Sequence, residues 1–175
     1  MSKVLVVIDM QNDFITGSLK TPEAPLVVTP IVKKLQTFEG HIFFTQDTHN
    51  SGYLTSQEGL HLPVPHCIKG TWGHQIHDEL VPYTKKATII EKDTFGSKLL
   101  AESLKELHEN EPITSIELVG LCTDICVISN ALIIKAYLPN VPISVDASCC
   151  AGVTIDSHQN ALKAMAMCHI NIINQ

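Results

Sequence analysis

The sequence lacks the features that mark several specialised classes of protein. No apolar run approaches the roughly 18 residues that are needed to cross a bilayer, and a strand pattern starts too early to leave room for a signal peptide. The chain also has no block of basic residues, and its formal net charge is -6. These absences argue against partnership with a membrane or a nucleic acid. We therefore expect a cytoplasmic protein that binds a small neutral or weakly polar molecule.

Internal repeats, low-complexity segments and linkers are also missing. A chain of 175 residues that is 45% hydrophobic can bury a sizeable core, so we expect one domain over residues 1–175. Six cysteines suggest disulfides only in an oxidising compartment. In a cytoplasmic chain they remain thiols, and they serve either chemistry or packing.

Short β-rich runs alternate with longer amphipathic runs along the chain. The short runs are continuously apolar, which is typical of strands buried on both faces. The pattern therefore predicts a single-domain α/β fold in which a parallel sheet carries helices on both faces, a Rossmann-like three-layer arrangement. The predicted strands are 4–8, 42–45, 88–90, 116–119, 143–145 and 170–173, and the predicted helices are about 29–38, with Thr29 as N-cap, 97–107, 123–137 and 156–167.

The segment between the second and third predicted strands is different. Residues 50–83 are rich in glycine, proline and histidine and show no clear periodicity. Long irregular insertions in compact domains are often functional loops. We expect this one to cover the site.

Three chemically active residues follow predicted strands. Asp9 follows the first, Lys92 follows the third, and Cys126 lies in the turn after the fourth. The carboxyl ends of parallel strands form the ligand crevice, so the three side chains are expected to converge there. A carboxylate can then take the thiol proton, while an ammonium keeps that carboxylate charged. Taken singly, the alternatives are a helix cap, a solvated charge and a packing thiol.

The position of Cys126 favours a reactive thiol. The run IELVGLCTDICV ends a strand in glycine and delivers the cysteine into the first turn of a predicted helix. Thr123 or Asp124 is expected to cap that helix, and the free amide groups at its start favour a thiolate.

A second group suggests a metal site. Asp47 and His49 are two residues apart after the second strand, and His66 follows in the insertion. One carboxylate and two imidazoles suit zinc, iron or manganese with positions left open. Glu58 is a candidate further ligand, directly or through water. The alternative is an Asx turn with solvated side chains.

Four segments together resemble the isochorismatase-like cysteine hydrolases. They are VIDMQNDF, EKDTFGS, GLCTDICV and DASCCAGVTIDSHQNAL, and they span nearly the whole chain. The resemblance implies an Asp9, Lys92 and Cys126 triad in which the cysteine is the nucleophile for an amide or a related bond. Isochorismatase proper lacks that cysteine, so the chain falls on the amidase side of the family.

Within the family, Asp47, His49 and His66 match the metal-binding pattern of the nicotinamidase and pyrazinamidase branch. The resemblance implies a divalent metal that binds the pyridine nitrogen, with nicotinate as a product that feeds NAD salvage. It also implies an oxyanion hole formed by the amides of Cys122 and Cys126, with a cis peptide between Leu121 and Cys122.

The same branch implies substrate contacts from Phe14 and Leu121. Many of its members also have a tryptophan that stacks on the ring shortly before the metal histidine. This chain has Leu-Pro-Val-Pro over residues 62–65 instead, which leaves Trp72 as the candidate substitute.

Two other functions remain open. The first is a metal-independent amidase of the same family that acts on another small amide or carbamoyl compound. The second is an α/β binding protein without turnover, because a fold alone does not imply catalysis. Apolar residues 60–65 suggest contacts in a homo-oligomer. The sequence leaves open the metal identity, the preferred amide and the assembly state.

Overall fold

The computed structural model describes residues 2–175, so that Met1 of the expected domain lies outside the described residues. Its centre is a six-stranded, wholly parallel sheet with the strand order β3-β2-β1-β4-β5-β6. The strands are β1 (Ser2–Ile8), β2 (His41–Asp47), β3 (Thr88–Lys92), β4 (Ile113–Leu121), β5 (Ile143–Ala151) and β6 (Asn171–Ile173). Each predicted strand overlaps an observed one.

Seven α-helices accompany the described part of this sheet. They are α1 (Asn12–Ile15), α2 (Val28–Thr37), α3 (Gln57–His61), α4 (Val81–Thr84), α5 (Lys98–Asn110), α6 (Ile128–Tyr137) and α7 (Ile155–Met167). Short 3-10 helices cover Ala24–Val27 and Tyr53–Thr55, and one π turn covers Thr123–Val127. None of the described helices is long and apolar enough to span a membrane.

The core lies in two layers, one on each face of the sheet. Alternate residues of β1 point to opposite faces, so Val6 packs with α5, α6 and α7, whereas Val7 packs with α2. Leu104 of α5 and Ile31 of α2 are fully buried on these two sides. Continuous apolar strands are therefore covered on both faces, and the predicted three-layer α/β fold is confirmed.

The start of α2 differs from the prediction. Thr29 is not its N-cap, because the preceding 3-10 turn brings the chain into helical geometry already at Val27. The insertion at 50–83 is also less irregular than its sequence suggests, since it contains α3, α4 and a 3-10 turn.

Gly120 allows β4 to pass very close to β1. It pairs with Ile8, its φ is +119°, and an added Cβ would lie 2.2 Å from the carbonyl oxygen of Ile8. Gly120→Ala is therefore expected to lower the free energy of unfolding by about 3 kcal/mol, from backbone strain of roughly 1–2 kcal/mol and overpacking of roughly 1–3 kcal/mol. Denaturant unfolding measures this loss.

Gly70→Ala is the matched control. Gly70 also has a positive φ of +85°, but an added Cβ would meet no heavy atom within 4 Å. Gly70→Ala should lower the free energy of unfolding only through backbone strain, by about 1–2 kcal/mol. Equal losses for the two variants would mean that close strand approach is not what requires glycine at position 120.

Candidate active site

Asp9, Lys92 and Cys126 meet at the carboxyl edge of the sheet. Asp9 follows β1, Lys92 is the last residue of β3, and Cys126 lies in the π turn after β4. All three are buried, with 0%, 6% and 6% of their surface exposed. Lys92 Nζ lies 2.6 Å from Asp9 Oδ2 and 3.6 Å from Cys126 Sγ. The strand ends thus bring a carboxylate, an ammonium and a thiol together. This is the convergence that the sequence predicted.

Thr45 fixes the other side of Asp9. Its hydroxyl donates to Asp9 Oδ1 at 2.6 Å and accepts the amide of Asp9 at 3.1 Å. One carboxylate oxygen is thereby held by a neutral donor and the other faces Lys92. The carboxylate therefore has little freedom to rotate away from the thiol.

Burial sets the protonation of this group. It raises the pKa of Asp9, although the charge of Lys92 opposes that change. Burial, followed by the negative charge of Asp9, raises the pKa of the Cys126 thiol well above its usual value. For Lys92, burial is outweighed by the charges of Asp9 and Cys126, which raise the pKa of the ammonium. Burial therefore works against the thiolate that the position of Cys126 at a helix start favours, and it favours the neutral thiol.

The turn that carries the nucleophile starts at Cys122. The peptide bond between Leu121 and Cys122 is cis, as predicted. The carbonyl of Cys122 accepts the amides of Ile125 at 3.1 Å and Val127 at 3.0 Å. The second of these spans five residues, which makes this a π turn that runs directly into α6.

The predicted side-chain cap of this turn is wrong. Cys122 occupies the N-cap position, and no side chain caps it. The Thr123 hydroxyl pairs with His158 Nδ1 at 2.8 Å instead, and the Asp124 carboxylate accepts the amide of Val153 at 3.2 Å. Both residues therefore connect the turn to the β5–α7 region. These long-range hydrogen bonds replace the local capping bonds that the two residue types prefer.

Sequence reasoning missed Asn130, which joins the nucleophile turn to the loop after β3. It is 1% exposed, and its amide nitrogen donates to the carbonyls of Cys126 at 2.8 Å and Phe95 at 3.1 Å. Its oxygen accepts the amide of Ser97 at 2.9 Å. One sequence signal could have indicated this residue. Asn130 comes four residues after Cys126, and residues with that spacing lie on the same side of a helix.

Asp47, His49 and His66 form a second group beside the first. Their candidate ligand atoms all lie within 4.8 Å of one another. Asp47 Oδ2 is 3.0 Å from His49 Nε2 and 3.4 Å from His66 Nε2. Glu58 Oε1 lies 3.7 and 3.6 Å from the same two nitrogens. The structure therefore brings all four predicted ligands together.

The chemistry of these donors fits a divalent cation. His66 Nδ1 donates to the carbonyl of Val64 at 2.9 Å, so neutral His66 directs the lone pair of Nε2 towards the carboxylate of Asp47. Two electron-rich atoms that face each other in a buried site need a proton or a metal ion between them. One carboxylate with two imidazoles is a common set of ligands for zinc, iron or manganese.

Gln11 holds the metal set in place from the β1 side. This fully buried side chain accepts the amide of Asp47 at 2.7 Å and donates to the carbonyls of Asp47 at 2.8 Å and His74 at 2.9 Å. For Asp47, burial is outweighed by the hydrogen bonds that His49 and the protonated form of His66 donate to it, and these lower the pKa of its carboxyl group. Asp47 is therefore an ionised ligand on a rigid support.

Aromatic rings surround the two histidines. The Tyr53 ring lies 4.7 Å from the His49 ring and 4.9 Å from the His66 ring, and Phe14 lies 5.7 Å from His66. Leu121 is 1% exposed and belongs to the same apolar cluster as Phe14. Of the predicted substrate contacts, Phe14 therefore lies beside the metal set, and Leu121 is buried at the end of β4, directly before Cys122.

Trp72 is not brought to this group. Its backbone is held at α1, where its carbonyl accepts Asn12 Nδ2 at 3.0 Å, and the residue is 54% exposed. Among the described residues, the aromatic side chains in contact with His49 and His66 are Tyr53 and Phe14, and Trp72 is not one of them. The structure therefore gives no support to Trp72 as a substitute for a stacking tryptophan.

A groove of about 990 Å³ lies against both groups. His49 and Glu58 line it from the metal set, and Ile125, the residue before Cys126, lines it from the nucleophile turn. Most of its other lining residues come from the segment 50–62, so part of the insertion covers the site as expected.

A three-layer α/β fold with a buried acid, ammonium and thiol at its strand ends is the framework of a cysteine hydrolase. The chain matches the isochorismatase domain over residues 3–174, and it therefore belongs to the isochorismatase family.

Several known sequences and solved structures resemble this chain. An uncharacterized isochorismatase family protein, PncA of Bacillus subtilis, is 29% identical over 95% of both chains. The pyrazinamidase/nicotinamidase of Streptococcus mutans superposes with a TM-score of 0.84 and 28% identity, covering 98% of this chain and 100% of that one. The N-carbamoylsarcosine amidase of Thermoplasma acidophilum superposes with a TM-score of 0.79 and 27% identity, covering 98% of this chain and 95% of that one.

Proposed function

We propose that this protein is an amidase that hydrolyses nicotinamide, and also pyrazinamide, to the carboxylic acid and ammonia. The observation that carries the proposal is that Lys92 joins two sites. Its Nζ lies 2.6 Å from Asp9 Oδ2 in the nucleophile group and 3.4 Å from Asp47 Oδ1 in the metal set. The two groups are therefore neighbours, as binding of a carboxamide and a ring nitrogen of one aromatic ring requires. The similarity to the Streptococcus mutans enzyme supports the same substrate class.

In the proposed reaction Asp9 is the general base and Cys126 the nucleophile. Because burial favours the neutral thiol, Asp9 takes its proton as sulfur attacks the carboxamide carbon. Burial raises the pKa of Asp9, which makes its carboxylate a better acceptor for the thiol proton. The oxyanion is held by the backbone amides of Cys122 and Cys126.

The second half of the reaction uses the same groups in reverse. Asp9 gives its proton to the departing ammonia, which leaves an acyl thioester on Cys126. A water molecule then loses a proton to Asp9 and attacks the thioester, which releases the acid and restores the thiol. Lys92 stays charged throughout and stabilises the negative charge that moves between Asp9 and the sulfur.

We assign Asp47, His49 and His66, with Glu58 as a further ligand, to a divalent metal ion that is zinc, iron or manganese. When bound, the ion offers an open position to an electron pair of the substrate. The residues themselves orient the ring, since Phe14 lies beside the metal set and Leu121 directly precedes the nucleophile turn, and both restrict where an aromatic substrate lies.

A carbamoyl amidase is the second candidate, which the likeness to N-carbamoylsarcosine amidase favours. In that function Asp9, Lys92 and Cys126 have the same roles, but the metal set does not bind the substrate. A protein that only binds ligands is disfavoured, because it would not need a buried acid, ammonium and thiol in contact.

Ammonia release from nicotinamide, pyrazinamide and N-carbamoylsarcosine separates these candidates. We expect kcat/KM for nicotinamide to exceed that for the carbamoyl compound by at least about 100-fold, because only nicotinamide has a ring nitrogen to meet the metal set. Nicotinate should appear in equal amount to ammonia. A preference for the carbamoyl compound would establish the second candidate instead.

A further inference from the structure

The groove beside the active site is larger than a single-ring amide requires. Its volume of about 990 Å³ lies at the upper end of the roughly 300–1,000 Å³ that is typical of pockets for drug-sized ligands. Nicotinamide consists of one ring and one carboxamide. Much of the groove therefore remains free when such a molecule is bound.

This free volume adjoins the site. His49 and Glu58 of the metal set line the groove, and so does Ile125, which directly precedes the nucleophile. A ring placed between the metal set and Cys126 therefore has an edge that faces the groove. A substituent on that edge can enter it without displacing either reacting group.

The walls of the groove determine which substituent suits it. Tyr53, Leu62, Phe95 and Ile125 are the large apolar side chains of its lining, and of these Leu62 and Phe95 are 37% and 47% exposed. Among the described residues that line it, none is a lysine or an arginine.

Acidic groups complete this lining. Glu58 and Asp93 both contribute carboxyl groups to it. An anionic substituent would lose water and meet two carboxyl groups but no lysine or arginine among the described lining residues, whereas an apolar one gains contact. The wall chemistry therefore selects an uncharged, mainly apolar group.

The segment directly before His66 also contributes to the groove. Residues 62–65 are Leu-Pro-Val-Pro, and of these Leu62 lines it. The groove therefore has an apolar wall close to the metal set.

We propose that the groove is a substrate subsite for an uncharged, mainly apolar substituent, an inference that rests on the proposed amidase function. The substrates then include pyridine-3-carboxamides extended at ring position C5. C5 is the one ring carbon that neighbours neither the ring nitrogen nor the carbon that bears the carboxamide. A group at C5 therefore leaves both the metal contact and the attack by Cys126 unobstructed.

Three amides test the subsite with the wild-type, metal-loaded protein. We expect kcat/KM for 5-butylnicotinamide to be at least equal to that for nicotinamide, with KM about tenfold lower, because the butyl chain covers the apolar walls. The analogue with a carboxylate at C5 should fall at least about 100-fold below nicotinamide, since it places an anion beside Glu58 and Asp93.

The outcomes separate the subsite from the function. Turnover of nicotinamide with 5-butylnicotinamide more than tenfold slower would overturn the subsite and leave the proposed function standing. No turnover of either amide would overturn both. Equal turnover of the butyl and carboxylate analogues would also overturn the subsite, because it would show that the groove walls do not contact the substituent.

Phe95→Ala and Leu99→Ala provide a matched pair. Both residues are exposed apolar side chains at 47% and 55%, but only Phe95 lines the groove. We expect Phe95→Ala to lower the ratio of kcat/KM for 5-butylnicotinamide to that for nicotinamide at least fivefold, and Leu99→Ala to keep it. A ratio unchanged in both variants, or lowered alike in both, would refute the assignment.

Discussion

Cys126→Ala is expected to abolish amide hydrolysis, with kcat/KM reduced at least about 10³-fold, because the reaction begins with a bond from this sulfur. The fold should survive, since alanine occupies less space in a buried turn and leaves the backbone bonds of the turn in place. Ammonia release and thermal unfolding on the same preparation measure the two effects. Activity within tenfold of wild type would remove the proposed nucleophile.

Cys149→Ala is the matched control for this substitution. Cys149 is another free thiol, 2% exposed, that lies in β5 on the opposite face of the sheet from the main apolar contacts of Cys126. The two variants remove the same atom from equally buried positions. A loss of activity confined to Cys126→Ala is therefore a loss of chemistry and not of packing.

Asp9→Asn and Lys92→Met extend the same prediction. Asparagine cannot accept the thiol proton, and methionine keeps much of the lysine volume without its charge. Each is expected to lower kcat/KM by at least about 10²-fold, and either one combined with Cys126→Ala should cost little more than Cys126→Ala alone, because groups that act as a unit fail together. Small, additive losses would show that the three side chains do not share one step.

The convergence of the strand ends was predictable because parallel strands share one direction. Asp9 and Lys92 are 83 residues apart in the chain, yet each follows a buried apolar run, and topology alone brings such positions to one edge of the sheet. The continuously apolar strand runs likewise predicted helices on both faces of the sheet. Local sequence and elementary topology therefore sufficed for the fold and for the neighbourhood of the site.

The side chains that hold the site in place through long-range hydrogen bonds were not predictable in this way. Gln11 contacts the backbone of His74 across 63 residues, and Asn130 contacts that of Phe95 across 35. Such pairs depend on how loops cross above the sheet, which no local pattern encodes. Thr123 shows the same limit, since its hydroxyl serves a long-range pair with His158 although its local preference is to cap a helix.

Loss of the metal should remove the distinction between nicotinamide and benzamide. Benzamide has the same ring shape and carboxamide but no ring nitrogen, so it gains nothing from an ion held by Asp47, His49 and His66. In the metal-loaded protein we expect kcat/KM for nicotinamide to exceed that for benzamide at least about 100-fold. Treatment with a chelator should raise KM for nicotinamide steeply and leave benzamide a poor substrate.

His66→Ala should reproduce the chelated state without a chelator. It removes one of two imidazole ligands and leaves Cys126, Asp9 and Lys92 in place, so kcat for nicotinamide falls because the carbonyl is misplaced and not because the nucleophile is lost. Alkylation of Cys126 by a small thiol reagent should therefore continue at near the wild-type rate. His41→Ala is the control, because His41 lies at the opposite end of β2 from Asp47.

The decisive measurement is the ratio of kcat/KM for nicotinamide to that for benzamide, with metal content determined on each sample. Metal-loaded wild type and His41→Ala should share a high ratio, whereas chelated wild type and His66→Ala should share a low one. Equal values for the two amides in a metal-loaded sample would refute recognition of the ring nitrogen. Full nicotinamide hydrolysis in a verified metal-free sample would do the same. Either result would favour the metal-independent amidase, in which Asp9, Lys92 and Cys126 keep their roles and Asp47, His49 and His66 only support the loop that covers them.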